Sequence, residues 1–321
     1  MAKKMKKTVK KAVQPKKKNN LQKKMVIKTS NSTSDLAIIV LNFNTQFWLK
    51  KTLNSVKDFY LDRTKYKVEI IVVDNDSNDG SPEMVEKEFK WVKLIRSGGN
   101  IGFAAGNNVA LRHITARYSM LLNSDTEFSD ASNLDIIIKY LDENTDVGMV
   151  SPRVELPDGS LDPACHRGEP TPWASLTYFA GLEKMFPNSP LLGQYHQTFK
   201  NLDEIHEVDA CTGAAMIFPT KFMQNKVGYL DEQFFMYAED IDWCRRFREA
   251  GKKVVFHPGA RITHHKYKSG IKSSSTRLAK KVHNMFYDTM LMYYDKWYSN
   301  KYPKFFRTLL RTFLFIKKGG L

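Results

Sequence analysis

The sequence predicts an α/β fold in which a mostly parallel central sheet is flanked by helices. Three features carry that expectation. Short, continuously apolar runs read as strands buried on both faces. Apolar residues at helical spacing separate the first two runs, and polar clusters close the first, second and fourth. In an open α/β sheet ligands bind outside the carboxyl ends of the strands, so these clusters are expected to face one cleft.

The first run, Leu36–Leu41, stops at Asn42-Phe43-Asn44. Phe47, Leu49, Leu53 and Val56 then recur at helical spacing before Lys67–Val73, a run rich in Val and Ile. Strand, helix and strand within about 40 residues make a βαβ unit and hence a parallel pair. The loop Asp74-Asn75-Asp76-Ser77-Asn78-Asp79-Gly80-Ser81 follows. Ser81 is expected as an N-cap, with Pro82 at the first helical position and Glu83 complementing the helix dipole. Val92–Ile95 reads as a third strand. Gly98-Gly99-Asn100-Ile101-Gly102-Phe103 leads into a helix through Leu111 and Ile114, and Tyr118–Leu122 is a fourth strand, ending at Asn123-Ser124-Asp125. Residues 150–206, with several prolines and aromatics, read as an irregular insertion shaping the cleft. Ala210–Phe218 resumes an apolar segment, and Glu239–Ala250 reads as a helix stopped by Gly251.

Charge is distributed unevenly. The formal net charge is +16, but residues 1–34 hold twelve lysines and no acid, and without them it falls to +4. A basic body of the kind that grips nucleic acid is therefore not expected. The tail lacks the apolar stretch of a signal peptide. Its composition predicts disorder, and its lysines suit an anionic lipid surface at roughly 1 kcal/mol each. Cys165, Cys211 and Cys244 suggest neither a disulfide scaffold nor a Cys-rich zinc site. No run reaches the roughly 18 apolar residues of a membrane-spanning helix.

At the other end, Pro303 is expected to divide residues 281–318 into two helices. The first is aromatic enough to pack on the body as ordinary core. In the second, Phe306, Leu309, Leu310, Phe313 and Leu314 recur at helical spacing among Lys304, Arg307, Arg311, Lys317 and Lys318. At about 22 Å it is too short to cross a hydrocarbon core of roughly 30 Å, and it suits an amphipathic helix lying in a membrane interface. Burial against another part of the protein or a second copy is the alternative.

The acids at the strand ends bear on chemistry. Asp74 and Asp79 can simply fold their own turn by bonding nearby backbone. Asp125 follows an almost wholly apolar strand, so it needs a partner, and a divalent cation carrying a diphosphate is one suitable partner. Period-two alternation puts Ala260, Ile262 and His264 on one face, with His265 pointing the other way. His264 is then either a hydrogen-bonded core residue or, beside Asp125, part of a mixed oxygen and nitrogen metal site. On a helix, Asp240 shares a face with Trp243, Cys244 and Phe247, whereas Asp242 is set to pair with Arg246 on the surface. Desolvation raises the pKa of an acid at such a helix start and the helix terminus lowers it, so Asp240 can remain an anion able to accept a hydroxyl proton. These residues describe an α/β enzyme with an acidic cleft. Phosphatase, nucleotidyltransferase and sugar transferase all remain open.

A resemblance narrows the choice. The pieces that carry it are Ile39-Val40-Leu41-Asn42-Phe43-Asn44, Val72-Val73-Asp74 with its loop to Ser81, and Asn100-Ile101-Gly102-Phe103-Ala104-Ala105-Gly106-Asn107-Asn108. Leu121-Leu122-Asn123-Ser124-Asp125, Thr212-Gly213-Ala214-Ala215, Glu239-Asp240-Ile241-Asp242 and His264 complete the set. In this order over residues 36–265 the chain resembles glycosyltransferase family 2, inverting transferases of the GT-A fold, and particularly its rhamnosyltransferase-like branch. The resemblance implies a GT-A catalytic domain over residues 35–275, with the nucleotide-binding part at about 35–130 and the acceptor-side part at about 131–275. Residues 1–34 are then a tail and 276–321 an amphipathic helical extension.

By the same resemblance Asp74 contacts the nucleotide base or ribose with Asn42 beside it, and Asp79, Asn100, Gly102, Asn107 and Asn123 belong to the donor-binding side. Asn123-Ser124-Asp125 stands where the family has a metal-binding Asp-x-Asp motif. Asn replaces its first acid, as in this branch, which leaves Asp125 the principal ligand for Mg2+ or Mn2+. His264 helps hold the metal or diphosphate, and Asp240 is the catalytic base. The donor is a dTDP- or UDP-linked sugar; the segment from Asn100 favours dTDP-L-rhamnose, with UDP-galactofuranose and UDP-glucose as other candidates. The acceptor is a glycan or lipid-linked glycan in cell-surface polysaccharide synthesis, and the setting is cytoplasmic, peripheral on the inner face of an anionic membrane. No specific nucleic acid is expected, and a homo-oligomer is compatible. A nucleotidyltransferase making a sugar nucleotide fits less well, because the chain lacks a Gly-rich, Lys-containing Walker-type loop. A nonenzymatic nucleic-acid binder fits less well again, because an acidic cleft repels phosphates.

Overall fold

A computed structural model of the chain describes residues 34–266 and 276–319. The basic tail expected over 1–34 lies, but for Ser34, outside the described residues.

Among the described residues nine strands form one sheet: β1 (Leu36–Asn42), β2 (Val68–Asp74), β3 (Val92–Arg96), β4 (Tyr118–Asn123), β5 (Thr126–Glu127), β6 (Val147–Glu155), β7 (His206–Val208), β8 (Ala215–Pro219) and β9 (Lys253–His264). Their order is β3-β2-β1-β4-β8-β6-β9-β5, with β7 also pairing with β9. The helices are α1 (Gln46–Val56), α2 (Ser81–Glu88), α3 (Phe103–Leu111), α4 (Asp135–Glu143), α5 (Pro172–Phe179), α6 (Leu182–Met185), α7 (Thr220–Phe222), α8 (Glu239–Glu249), α9 (Thr276–Trp297) and α10 (Lys304–Lys317).

The first four strands are parallel, as the βαβ pattern requires. Leu36 to Val40 have no exposed surface, and α1 turns Leu49, Leu53 and Val56 onto them. Parallel register sets Asn42 beside Asp74 and Leu41 beside Asn123, so the polar ends of β1, β2 and β4 share one edge.

Beyond β4 the sheet departs from the expected mostly parallel arrangement and is mixed. β8 runs antiparallel to β4 and β6, while β6 and β9 are parallel and β5 and β7 antiparallel to β9. The cause lies at the cleft edge: Asn123, where β4 ends, donates its backbone N–H to Ala214 O at 3.0 Å. β8 therefore starts where β4 stops and must run back. The segment expected to be irregular from residue 150 instead carries β6 to Glu155, because Val147 to Pro152 are buried between two neighbouring strands.

Two further readings are corrected. Ser81, expected as the N-cap, is the first residue of α2; Gly80 at φ 85° makes the turn before it, and Asp79 Oδ1 accepts from the Ser81 N–H at 3.0 Å. Asp242, expected in a surface pair with Arg246, is fully buried. Arg246 Nε reaches it at 2.9 Å, but so do Trp297 Nε1 at 2.8 Å and Lys296 Nζ at 2.6 Å, because α9 covers α8. A buried carboxylate requires such partners.

α9 is also joined to the body through Glu169, whose Oε1 accepts from Arg245 of α8 at 2.8 Å and from Tyr293 and Tyr298 at 2.5 and 2.7 Å. α10 folds back along α9, with Arg307 Nε 2.6 Å from Asp295. The stripe read from the sequence is rotated: Leu314 is buried and Leu310 and Phe313 half-buried, while Phe305, Leu309 and Ile316 face outward. No helix among the described residues is long and apolar enough to cross a membrane.

Gly102 shows where the backbone admits no side chain. Its φ is 90°, and a Cβ there would lie 2.5 Å from Phe235 O, whereas Gly98 at φ 80° has open space around it. Gly102→Ala should lose more stability in urea melts than Gly98→Ala, which bears only the left-handed penalty of about 1–2 kcal/mol. Equal losses would show that Phe235 does not press on this turn.

Candidate active site

The cleft edge carries three linked groups of side chains. At the β1 and β2 end, Asn42 is fully buried and donates from Nδ2 to Asp74 Oδ1 and Ser77 Oγ, both at 3.0 Å. Asp74 Oδ2 accepts the Ser77 N–H at 3.0 Å. Asp79 Oδ2 accepts the Gln46 N–H at 2.7 Å at the start of α1. Asn75 holds the adjacent loop: Nδ2 donates to Asn100 Oδ1 at 3.1 Å and to Gly102 O at 3.2 Å, and Oδ1 accepts the Ile101 N–H at 3.1 Å. Asn107 is buried and returns Nδ2 to Phe103 O at 3.0 Å. Of the residues expected on the donor side, Asn42, Asp74, Asp79 and Asn107 thus spend their hydrogen bonds inside the protein. Asn100 is exposed and Asn123 half-buried.

The second group lies where β4 and β9 end. Asp125 is almost wholly buried, and its Oδ1 lies 3.2 Å from His264 Nε2, an ion pair without the alignment of a hydrogen bond. His264 Nδ1 is 3.1 Å from Asp162 Oδ2, and Lys266 Nζ is 2.7 Å from Asp162 Oδ1. Burial opposes a charge on His264, but Asp125 and Asp162 outweigh it and push the imidazole up to about 9. Asp162 is held well below the usual carboxylate range: burial works against its charge, but the hydrogen bond from His264 and the Lys266 ammonium prevail. Thr45 ties this group to the first, donating to Asn42 Oδ1 at 2.5 Å with its hydroxyl 2.9 Å from Ser124 Oγ.

The third group opens α8. Asp240 Oδ2 accepts from Arg167 Nη2 at 2.7 Å and faces the Gly213 N–H at 3.4 Å, and its Oδ1 accepts the Ile241 N–H at 2.8 Å. Glu239 beside it is a buried carboxyl with Oε2 unpartnered, and burial, then the neighbouring Asp240, raises its pKa. The backbone before it is strained, with Tyr237 at φ 72° and Ala238 at φ 65°. Gly213 and Ala214 join the second and third groups, one facing Asp240 and the other accepting from Asn123.

Thr45, Asn75, Asp162 and Arg167 escape the sequence reading. Asp162 and Arg167 sit in a segment without periodicity, and nothing local marks their partners, which lie 102 and 73 residues away. Asn75 and Thr45 flank the motif residues and differ from other turn residues only in what they reach.

A divalent cation fits the second group in its donor chemistry. Asp125 offers a buried carboxylate oxygen with no hydrogen-bond partner, and His264 a nitrogen beside it. Such a mixed set suits Mn2+ or Mg2+ when substrate oxygens complete the shell. Among the described residues no three His, Cys, Asp or Glu side chains are placed to hold one ion.

A sheet with its polar strand ends gathered at one edge, facing an acid at a helix start, defines an α/β nucleotide-sugar-binding transferase fold. Residues 37–218 match the model of glycosyl transferase family 2. The chain belongs to that family. It is 24% identical over 227 residues to the N-acetylglucosaminyl-diphospho-decaprenol L-rhamnosyltransferase of Mycobacterium tuberculosis, covering 67% of this chain and 72% of that one. The low-salt glycan biosynthesis hexosyltransferase Agl10 of Haloferax volcanii is 28% identical over 218 residues, 67% of this chain and 62% of its own length. A mannosyltransferase from Pyrobaculum calidifontis, solved with GDP-Man and Mn2+, aligns with a TM-score of 0.52 at 16% identity over 89% of this chain and 70% of that one, a likeness of fold.

His166, next to Arg167, gives a pH test of this segment. Its Nε2 is 2.5 Å from His206 Nε2, and burial, with smaller contributions from His206 and Lys200, pushes it down to about 4. The folded pKa lies below the unfolded one, so its contribution is present above about pH 6.5 and is lost as pH falls toward 4. Urea melts across that window should lose on the order of 2–3 kcal/mol from this residue. His166→Asn should flatten the slope; an unchanged slope would place the titration elsewhere.

Proposed function

We propose that the chain transfers a sugar from a nucleoside diphosphate to a glycan or lipid-linked acceptor with inversion, dTDP-L-rhamnose being the favoured donor. The observation that carries this is the joining of Asn123, two residues before Asp125, to Asp240 through Gly213-Ala214, which supports a candidate diphosphate end and a candidate base on one edge of the sheet. The rhamnosyltransferase relative and the segment from Asn100 to Asn108 support the donor.

The residues divide the work. Asp74, Asn42 and Asp79 fix the loops that shape the nucleotide end, and Asn100 and Asn123, more open, face the donor. Asp125 with His264 would hold Mg2+ or Mn2+, which would supply positive charge where the departing diphosphate gathers negative charge. Asp240 has three N–H groups on its carboxylate, and an ionised carboxylate has about four acceptor positions. The remaining one receives the proton of the acceptor hydroxyl. That oxygen bonds to the anomeric carbon as the bond to the diphosphate breaks, and one displacement inverts the centre. Arg167 orients Asp240. α10, with apolar residues outward and no acid, suits a membrane interface and supports the reading of a peripheral enzyme.

A screen of nucleotide sugars against lipid and glycan acceptors, read as nucleoside diphosphate release, tests the activity. Release with dTDP-L-rhamnose is expected; none with any donor, on folded protein, would overturn the reading. Asp240→Asn should keep donor affinity while lowering turnover on the order of 10²-fold or more, and unimpaired turnover would remove it as the base. For Asp125→Ala, calorimetry should show donor binding that no longer responds to Mn2+. A response equal to that of the unmodified protein would move the metal elsewhere.

A further inference from the structure

Helices α5 and α10, far apart in sequence, meet where the rings of Phe179 and Phe313 lie 5.0 Å between centroids. Each turns apolar side chains to solvent beside that contact. On α5 these are Trp173 and Leu176, three residues apart and so on one face, and Met185 follows at the end of α6; Leu176 is 59% and Met185 68% exposed. Trp173 is fixed in place by its Nε1–H bond to Leu191 O at 2.9 Å. On α10, Phe305, Leu309 and Ile316 return to one side at about 100° per residue. Leu314, on the opposite side, is buried.

Charge identifies what this surface fits. Lys304 and Arg311 flank the outward stripe of α10 on one side and Lys317 on the other, and Lys184 stands beside Met185. All four are exposed, and none forms an ion pair with a described residue. Glu183 is the one acid in residues 172–191 and 304–318, and it is buried against His196. Apolar side chains rimmed by cations whose stems can snorkel match an anionic bilayer. A second copy would bring like charges together.

We propose that α5, the end of α6 and α10 form one platform that seats on an anionic membrane. This rests on the reading of α10 as an interfacial helix and adds the insertion as a second lipid contact. The platform is coupled to the cleft through the few residues before α5. Arg167 holds Asp240, and Glu169 is bound by α8 and α9. Seating at two points fixes the tilt of the cleft over the surface, as suits an acceptor carried on a lipid.

The three native cysteines are buried, so Leu176→Cys and Leu309→Cys in the full chain can each carry a single fluorophore. Vesicles of equal parts phosphatidylcholine and phosphatidylglycerol, with and without a nitroxide-labelled lipid, then report contact by quenching. Quenching of both probes is expected. Leu176→Asp combined with Met185→Asp should weaken vesicle partitioning about tenfold or more, with donor turnover on a soluble acceptor unchanged. Quenching at Leu309 alone, with partitioning unaffected by the double aspartate variant, would overturn the platform and leave α10 as the sole lipid contact. Protein that stays in solution with neither probe quenched would overturn the interfacial reading of α10 as well. Lipid-independent association abolished by the same aspartates would assign the face to a second copy and also overturn the proposal.

Discussion

Acids buried at a strand end and at a helix start must be paired with cations, and one short segment reaches the pairing in both halves of this cleft. Asp162 shares His264 with Asp125, and five residues on Arg167 pairs with Asp240. Removing one partner from such a buried pair typically costs about 3–5 kcal/mol. The segment is held in turn: Asp162 accepts the Ala164 N–H at 3.0 Å, and Arg167 exchanges backbone bonds with Ala210. In the mixed half of the sheet β6 precedes this segment and β8 follows it.

That dependence explains what could be read in advance. β1, β2 and β4 were legible because strands buried on both faces leave an unbroken apolar record, and Asn42, Asp74 and Asp125 stand where that record stops. Ala260, Ile262 and His264 kept their period of two for the same reason: one face of β9 is packed. β6 was not legible, since Ser151, Pro152 and Arg153 interrupt its pattern and its partners β8 and β9 are distant in the chain. Arg167 and Asp162 carry no local signature, because their meaning lies in long-range charge pairing and not in periodicity. Asp242 shows the same limit. A spacing of four suggested a surface pair, and only the packing of α9 makes it a buried hub.

The C-terminal helices extend the same logic outward. α9 belongs to the core: Tyr293, Tyr294 and Tyr298 are buried, and the Arg245 guanidinium lies 4.2 Å over the Trp297 ring. Glu169 gathers partners from α8 and α9, so the helix bearing Asp240 is braced from behind. α10 then presents a face that no other described residue covers. Core packing and the placement of Asp240 thus run through adjoining elements, with the residues between Asp162 and Glu169 as their junction.

The central claim is a single displacement with Asp240 as base, and the anomeric configuration of the product tests it most directly. Proton NMR of the reaction with the donor that supports diphosphate release would report the configuration of the new glycosidic bond before any equilibration. The account predicts the configuration opposite to that of the donor. A product retaining the donor configuration would contradict it, since that outcome requires a second displacement or a front-face mechanism.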